Sequence, residues 1–419
     1  MNLSPKTVLT HLDELRALTS DVYGAQRIAW TPTWAAARAW FDRKLDELPF
    51  AALLERHQDA AGNRWITLPG TSPRALILGS HLDSVPNGGW LDGAIGVVTA
   101  LEVLRALGEA HSGHPPCTIR LVDWADEEGA RFGRSLFGSS AFAGTHSIDA
   151  DRARTDRNGI TMEDAVAPYG VAIERIGDAA IERQNAAAYL ELHIEQGPVL
   201  EARNEPLAVV LGTKGVERHA ITFHGQEAHS GSTPMSVRRD ALAAAAQLAL
   251  EIRPIARRHP DAVATVGLLK TFPGIVTAVV GRAEMTLDMR DLDAAVLAGM
   301  YADAQSASRR FAEQEGCTVE WARIWSIEPV PFHPKLIELC TAAIADVTGQ
   351  TEVTQLPSGP LHDAAEVAHC GIPTVMMFVQ SLRGLSHNAA EDTRREHIEQ
   401  AVEAFAQLAE RTIDWIIAE

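Results

Sequence analysis

Cysteine is scarce: there are four in 419 residues, at Cys117, Cys317, Cys340 and Cys370, and none forms a C-x-x-C pair. Scattered cysteines argue against a disulfide framework and a thiolate zinc site, and fit a reducing compartment. Positive charge is also short, with 37 Lys and Arg against 55 Asp and Glu and a formal net charge of -18. That balance argues against nucleic acid and anionic membranes as partners, because both repel an acidic surface. No apolar run approaches a membrane span. The stretch MNLSPKTVLTHLDELRALT carries charge throughout and lacks the apolar core of a signal peptide. A cytoplasmic protein is therefore expected. There is no internal repeat and no low-complexity tract. What is present is ordinary globular material, 46% hydrophobic and 22% charged, in a chain long enough for two domains.

The stretch around which the rest is organised is Gly79 to Gly96, GSHLDSVPNGGWLDGAIG. The apolar run Ala75–Leu78 before it reads as a buried strand ending in a tight turn. His81 and Asp83 stand at the strand's end and Asp92 follows. A buried carboxylate is costly unless paired or bound to a cation, so these residues suggest a metal site; the plainer alternative is a polar strand end with a solvated loop.

The same pattern recurs. Thr118–Trp124 reads as a strand running into Asp126-Glu127-Glu128-Gly129. For the adjacent acids the plainer reading is a solvated turn. Ala188–Glu195 alternates and carries His193 near its end, followed by Gln196. Thr374–Val379 is an apolar strand followed by Gly384-Leu385-Ser386-His387-Asn388. Helices are expected over Ser4–Leu18, Thr31–Glu47, Ala94–Leu107, Lys335–Val347, Leu361–Ala368 and Arg395–Ile417 from their apolar spacing. Asp149–Gly177 is polar and partly helical. Near Gly212 the composition shifts. Strands over Val216–Phe223, Val263–Leu269, Gly281–Arg290 and Thr318–Trp325, with helices over Ser236–Arg258 and Leu292–Glu313, give a β-α-β-β-α-β order that makes a self-sufficient small α/β unit. The expected fold is thus α/β, with residues 1–212 and 328–419 as one domain and 213–327 inserted.

Five candidate ligands follow apparent strands: His81, Asp92, Glu128, His193 and His387. Two imidazoles and one or two carboxylates per ion suit Zn²⁺, Mn²⁺ or Co²⁺. With one shared carboxylate the set fills two ions, and two ions about 4 Å apart can clamp a hydroxide and polarise a carbonyl. Asp83 is then expected behind His81, fixing its tautomer. Glu127 is left over beside Glu128 as general base.

At these residues the chain resembles the M20 metallopeptidase superfamily, and more closely its amidase branch of N-carbamoyl-L-amino-acid hydrolases, β-ureidopropionases and allantoate amidohydrolases. The resemblance is carried by GSHLDSVPNGGWLDGAIGV, DEEGARFG, YLELHIEQGPVLE, GQEAHSGSTPMSVRRDA, LDMRD and GLSHNAAE, in family order from Leu76 to Glu391. HIEQGPVLE with His193 is particular to the amidase branch. The resemblance implies a mixed-sheet, zinc-peptidase-like catalytic domain with an inserted lid and dimerisation domain, and hence a homodimer. It implies that His81 and His193 sit on different ions, that Asp92 bridges, that Glu128 and His387 complete the shell, and that Glu127 is the base. Arg290 in LDMR resembles the residue that grips the substrate carboxylate, through a fork that lysine lacks. His229 in AHSGSTPM resembles the lid histidine that stabilises the oxyanion. Gln196 and the Ser358-Gly359 loop resemble further substrate contacts.

Three positions depart from the family pattern. Thr277 stands where members carry an Asn that helps bind substrate, and it cannot reproduce both amide hydrogen bonds. Leu361 replaces a glycine in the family's Ser-Gly-Ala-Gly-His-Asp, here Ser358-Gly359-Pro360-Leu361-His362-Asp363, adding bulk. Gln380 stands where the family has Pro. The implied activity is cleavage of a linear C–N bond in a small carboxylate-bearing molecule, N-carbamoyl-L-amino acids being the leading class, with an N-acyl amino acid, a dipeptide or an arylamine as the alternative. A catalytically inactive binding protein on this fold would be expected to have lost the base or a ligand, and all six are present.

Overall fold

The computed structural model describes residues 1–418. The chain divides into two compact units, Met1–Leu211 with Phe332–Glu419, and Gly212–Pro331.

The first unit is built on a mixed sheet that includes, in order, Leu207–Thr213, Thr374–Val379, Ala186–Ile194, Ser72–His81, Cys117–Trp124, Arg64–Leu68 and Glu55–Gln58, with Gln355–Ser358 pairing the first of these. The four strands from Thr374–Val379 to Cys117–Trp124 are mutually parallel, and Leu207–Thr213, Arg64–Leu68 and Glu55–Gln58 pair antiparallel. Parallel strands buried on both faces read as continuous apolar runs, which is why Ala75–Leu78 and residues 375–379 are solidly hydrophobic. The period of two still sorts their side chains. Leu76, Leu78, Leu190, Leu192, Met377 and Val379 join the core under helices Pro5–Thr19, Ala94–Ala110 and Arg395–Ala418. Ile77, Tyr189, Met376 and Phe378 face the opposite layer with Trp65, Trp124 and Phe142.

The second unit is a four-stranded antiparallel sheet, in the order Val263–Phe272, Arg282–Asp291, Gly215–His224, Thr318–Ile327. Helices Ala241–Arg257 and Ala294–Gln314 cover one face, packing Leu248, Ile252, Met300 and Ala304 with Ile221, Phe223, Met285 and Leu287. Each helix begins at an aspartate, Asp240 or Asp293, whose carboxylate accepts from the first free backbone N–H groups. That cap is why the first helix starts at Ala241 rather than at Ser236, where composition alone places it. Among the strands absent from the sequence reading are Leu207–Thr213 and Glu55–Gln58. Leu207–Thr213 is apolar but ends at the composition shift, and Glu55–Gln58 is an exposed polar edge without a hydrophobic signal.

Candidate metal centre

All four parallel strands end on the same edge, the place where α/β sheets build sites. His81 is the last residue of its strand, and His193 the last but one of its neighbour. Tyr189, Glu191 and His193 share one face by the period of two. Asp126 follows the third strand with φ 56°, so the chain turns sharply off the sheet before Glu127 and Glu128. Its carboxylate accepts from Trp30 Nε1 at 2.8 Å. Gln196 and His387 are also left-handed, at φ 57° and 53°. Such conformations are uncommon without glycine and cluster at functional sites.

The carboxylate of Asp92 is the hub. Its Oδ1 lies 3.2 Å from His193 Nε2 and 4.0 Å from His81 Nε2. Its Oδ2 lies 3.5 Å from His387 Nε2, which is itself 3.3 Å from Glu128 Oε2. One ligand atom each from His81, Asp92 and His193 lie within 4.8 Å of one another, and so do those of Asp92, Glu128 and His387. The grouping corrects one expectation: His81 and His193 stand together on the Oδ1 side. They come from the ends of adjacent parallel strands and their rings are 5.8 Å apart, whereas His387 arrives on a separate loop.

Each buried imidazole has its tautomer fixed. His81 Nδ1 donates to the Asp83 carbonyl at 3.2 Å and His193 Nδ1 to the Ile194 carbonyl at 2.9 Å, which turns both Nε2 atoms toward Asp92. Asp83 therefore orients His81 through its main chain. Its carboxylate accepts from Glu127 N and Glu128 N at 3.2 and 3.1 Å. Glu127 is buried, with Oε2 3.8 Å from His81 Nε2, and belongs to neither ligand group. Gln196 Nε2 donates to Asp92 Oδ2 and bonds Ser386 Oγ, both at 3.0 Å. In this conformation its amide thus supports the hub.

The electrostatics of the cluster suit a bound cation. Burial, then the charges of Asp363, Glu128, Asp83 and Asp92, lifts the Glu127 carboxyl well above its ordinary range. Burial and the Asp92 and Asp83 charges do the same to Glu128. Burial pushes His81 down to about 3. For His193 burial also acts downward, but the hydrogen bond and charge of Asp92 outweigh it and the group rises to about 9. Glu128 Oε1 and Gln196 Oε1 are buried without a partner. Converging acids that cannot all ionise, beside the neutral His81 imidazole, are what divalent cations stabilise, so the donor set fits such ions.

Several contributors were not singled out in the sequence. His362 is buried with its ring 4.4 Å from that of His193, and Leu361, half-buried, precedes it. Glu191 accepts from Ser80 Oγ, Tyr189 OH and Ala364 N. Gln380, by contrast, is buried and donates to the Glu205 carbonyl at 2.9 Å. Ser358 Oγ, beside Gly359, donates to the Pro360 carbonyl at 2.9 Å. A cavity of about 830 Å³ beside Trp30, Arg131 and Tyr169 is lined by none of the ligands.

Gly93 explains the Asp92-Gly93 pair. It is left-handed at φ 64°, and a Cβ there would stand 2.3 Å from His81 Cε1. Gly93→Ala should displace the His81 ring, cost about 1–3 kcal/mol of stability and weaken cation binding. Thermal unfolding with a metal titration checks this, and unchanged binding would contradict it.

His229, Thr277 and Arg290 lie in the second unit. His229 pairs with Ala278, and the Thr277 carbonyl accepts from Ser230 N at 2.9 Å. Gly231 N donates to His229 Nδ1 at 3.1 Å, which leaves the imidazole proton on Nε2. Arg290 Nε bonds Asp288 Oδ1 at 2.9 Å, and Arg218 holds the other oxygen at 2.7 Å. Burial acts to raise the Asp288 carboxyl, but the hydrogen bonds from Arg290 and Arg218 outweigh it and hold the group below its usual range.

The fold and these residues belong with the hydrolases. Residues 77–411 match the family described as Peptidase family M20/M25/M40, and the chain belongs to that family. It is 37% identical over 345 residues to the N-carbamoyl-L-amino-acid amidohydrolase of Rhizobium meliloti, covering 81% of this chain and 80% of the relative. It is 31% identical over 388 residues to the allantoate amidohydrolase of Escherichia coli (strain K12), covering 91% and 92%. The crystal structure of an amidase of the hydantoinase/carbamoylase family from Burkholderia multivorans superposes with a TM-score of 0.85 at 33% identity, covering 97% of this chain and 98% of that one. The resemblance read from the motifs is thus upheld, and with it the α/β mixed-sheet fold. Among the described residues no helix is long and apolar enough to cross a membrane.

Proposed function

We propose that the chain is a binuclear-metal-dependent amidohydrolase that cleaves a linear, non-peptide C–N bond in a small carboxylate-bearing ureido compound, most readily an N-carbamoyl-L-amino acid. The observation that carries this reading is the Asp92 carboxylate, which turns one oxygen to His81 and His193 and the other to His387, itself beside Glu128, with Glu127 alongside. The named activities of the relatives agree with it. Zn²⁺, Mn²⁺ or Co²⁺ suits these ligands. When bound, such ions polarise a carbonyl and acidify water.

The chain's own groups do the rest. Asp83 ties the backbone of Glu127 and Glu128 and so anchors the turn that carries both carboxylates. Glu127 is the general base: its raised affinity for protons suits it to take one from water and hand it to the leaving nitrogen. We assign the second unit the roles of lid and dimerisation domain of a homodimer. Arg290, pre-aligned by Asp288, takes the substrate carboxylate as a guanidinium fork. His229, with its proton on Nε2, donates to the developing oxyanion. Gln196, Thr277, Gly359 and Leu361 are assigned to shaping the pocket.

A substrate panel tests the proposal. Ammonia should be released from N-carbamoyl-L-amino acids or allantoate at least tenfold faster than acid or amino acid from N-acyl amino acids and dipeptides. The reverse order would move the substrate class to acyl compounds.

A further inference from the structure

Two buried ionisable residues have no part in the chemistry above. Arg27 is fully buried, and among the described residues no carboxylate oxygen lies within ion-pair distance of its guanidinium. Its Nε donates to the Leu82 carbonyl at 2.8 Å, its main-chain N–H donates to Ser84 Oγ at 3.1 Å, and its carbonyl accepts from Ser84 N at 3.0 Å. It therefore grips the chain on both sides of Asp83, directly after His81. Its Nη2 has no partner.

Glu391 is at the other end of the same loop. It is 2% exposed, and its Oε1 accepts from both Leu91 N and Asp92 N at 3.1 Å. Gly89 lies so close that a Cβ there would stand 1.9 Å from the Glu391 carboxyl carbon. Glu391 Oε2 has no partner. Of the surrounding carboxylates, that of Glu391 acts most strongly on the Arg27 charge, followed by Asp83, Asp92 and Glu128.

We propose that Arg27 and Glu391 are positioning residues that hold the two ends of the loop from His81 to Asp92, and so set the distance between the His81 imidazole and the Asp92 carboxylate. Buried polar groups are costly unless hydrogen-bonded, and here each sits where its hydrogen bonds fix main chain beside a ligand instead of forming a mutual ion pair. Groups behind metal ligands act in this way, by orienting them. The metal half of the inference rests on the proposed function; the loop half does not.

The test uses the full chain as wild type, R27M, R27K, E391A and E391Q. Backbone hydrogen exchange of the metal-free proteins reads residues 82–92, and transfer of Co²⁺ from loaded protein to excess chelator reads the site. In R27M and E391A exchange should accelerate within 82–92 and not elsewhere, and Co²⁺ should be held roughly 10–100-fold less tightly. E391Q keeps an oxygen that accepts both N–H groups, and R27K keeps a donor for the Leu82 carbonyl, so both should stay near wild type. Wild-type exchange in R27M and E391A, or E391Q as impaired as E391A, would overturn the proposal. Should E391A not fold, E391Q and the two Arg27 variants decide on the same readouts. If wild type takes up no Co²⁺ while the exchange differences appear, the metal reading fails and the positioning role stands.

Discussion

Glu127→Gln is expected to lower kcat by about 10²–10⁴-fold while the protein keeps its metal, a barrier increase of roughly 3–5 kcal/mol at 1.36 kcal/mol per tenfold. Gln has nearly the same shape, so the backbone held by Asp83 Oδ1 at 3.2 Å is undisturbed. Glu127 belongs to neither group of converging ligands, so its loss removes no metal bond. What disappears is the ability to accept a proton. Burial and the Asp363, Glu128, Asp83 and Asp92 charges hold the Glu127 carboxyl well above its ordinary range, which makes it a stronger base than an exposed glutamate. Single-turnover rates and metal content measured on one preparation check the claim. Wild-type turnover would refute the role, and loss of metal would show Glu127 to be a ligand.

The second large effect is at the hub. Asp92→Ala should remove both ions and reduce activity by at least about 10³-fold, because Asp92 serves both groups and catalytic metals contribute several kcal/mol to the transition state. His387→Ala, which touches only the Oδ2 side, should remove one ion and leave the other. Retention of both ions by the Asp92 variant would contradict the shared-carboxylate arrangement. Cation uptake should also depend on pH in a definite sense. In the metal-free protein His193 is pushed up to about 9 by Asp92 despite burial, so near neutrality it carries a proton that a cation must displace. The His193–Asp92 pair stabilises the metal-free chain fully below the ordinary imidazole value of about 6.5 and loses that contribution as pH rises through about 9. Cation affinity should accordingly rise over that window, with protons released on binding. Calorimetry in buffers of different ionisation enthalpy measures it, and pH-independent uptake would sink the linkage.

Much of this centre was legible in the sequence for a physical reason. Parallel strands buried on both faces must be continuous apolar runs, so a polar residue at the end of one stands out, as His81, His193 and Glu128 do. What was not legible is which strands are neighbours. His81 and His193 share the Oδ1 side of Asp92 because their strands pair in parallel, and no local pattern encodes that pairing. Long-range support was hidden for the same reason. Glu391 holds the backbone of Asp92 across 299 residues of chain, and Arg27 holds Leu82 across 55; in sequence each is one more charge among many. His362 had a weak local signal, as an imidazole at the start of helix Asp363–His369. Glu55–Gln58 had none, because an exposed edge strand needs no apolar face.

The most direct measurement is the anomalous scattering of a crystal of the full chain grown with Zn²⁺ or Mn²⁺. Two peaks about 3.5–4 Å apart are expected, one on each oxygen of Asp92, the first touching His81 and His193 and the second Glu128 and His387. No peak at Asp92, or peaks bound through other side chains, would contradict a pair of cations held by these five residues.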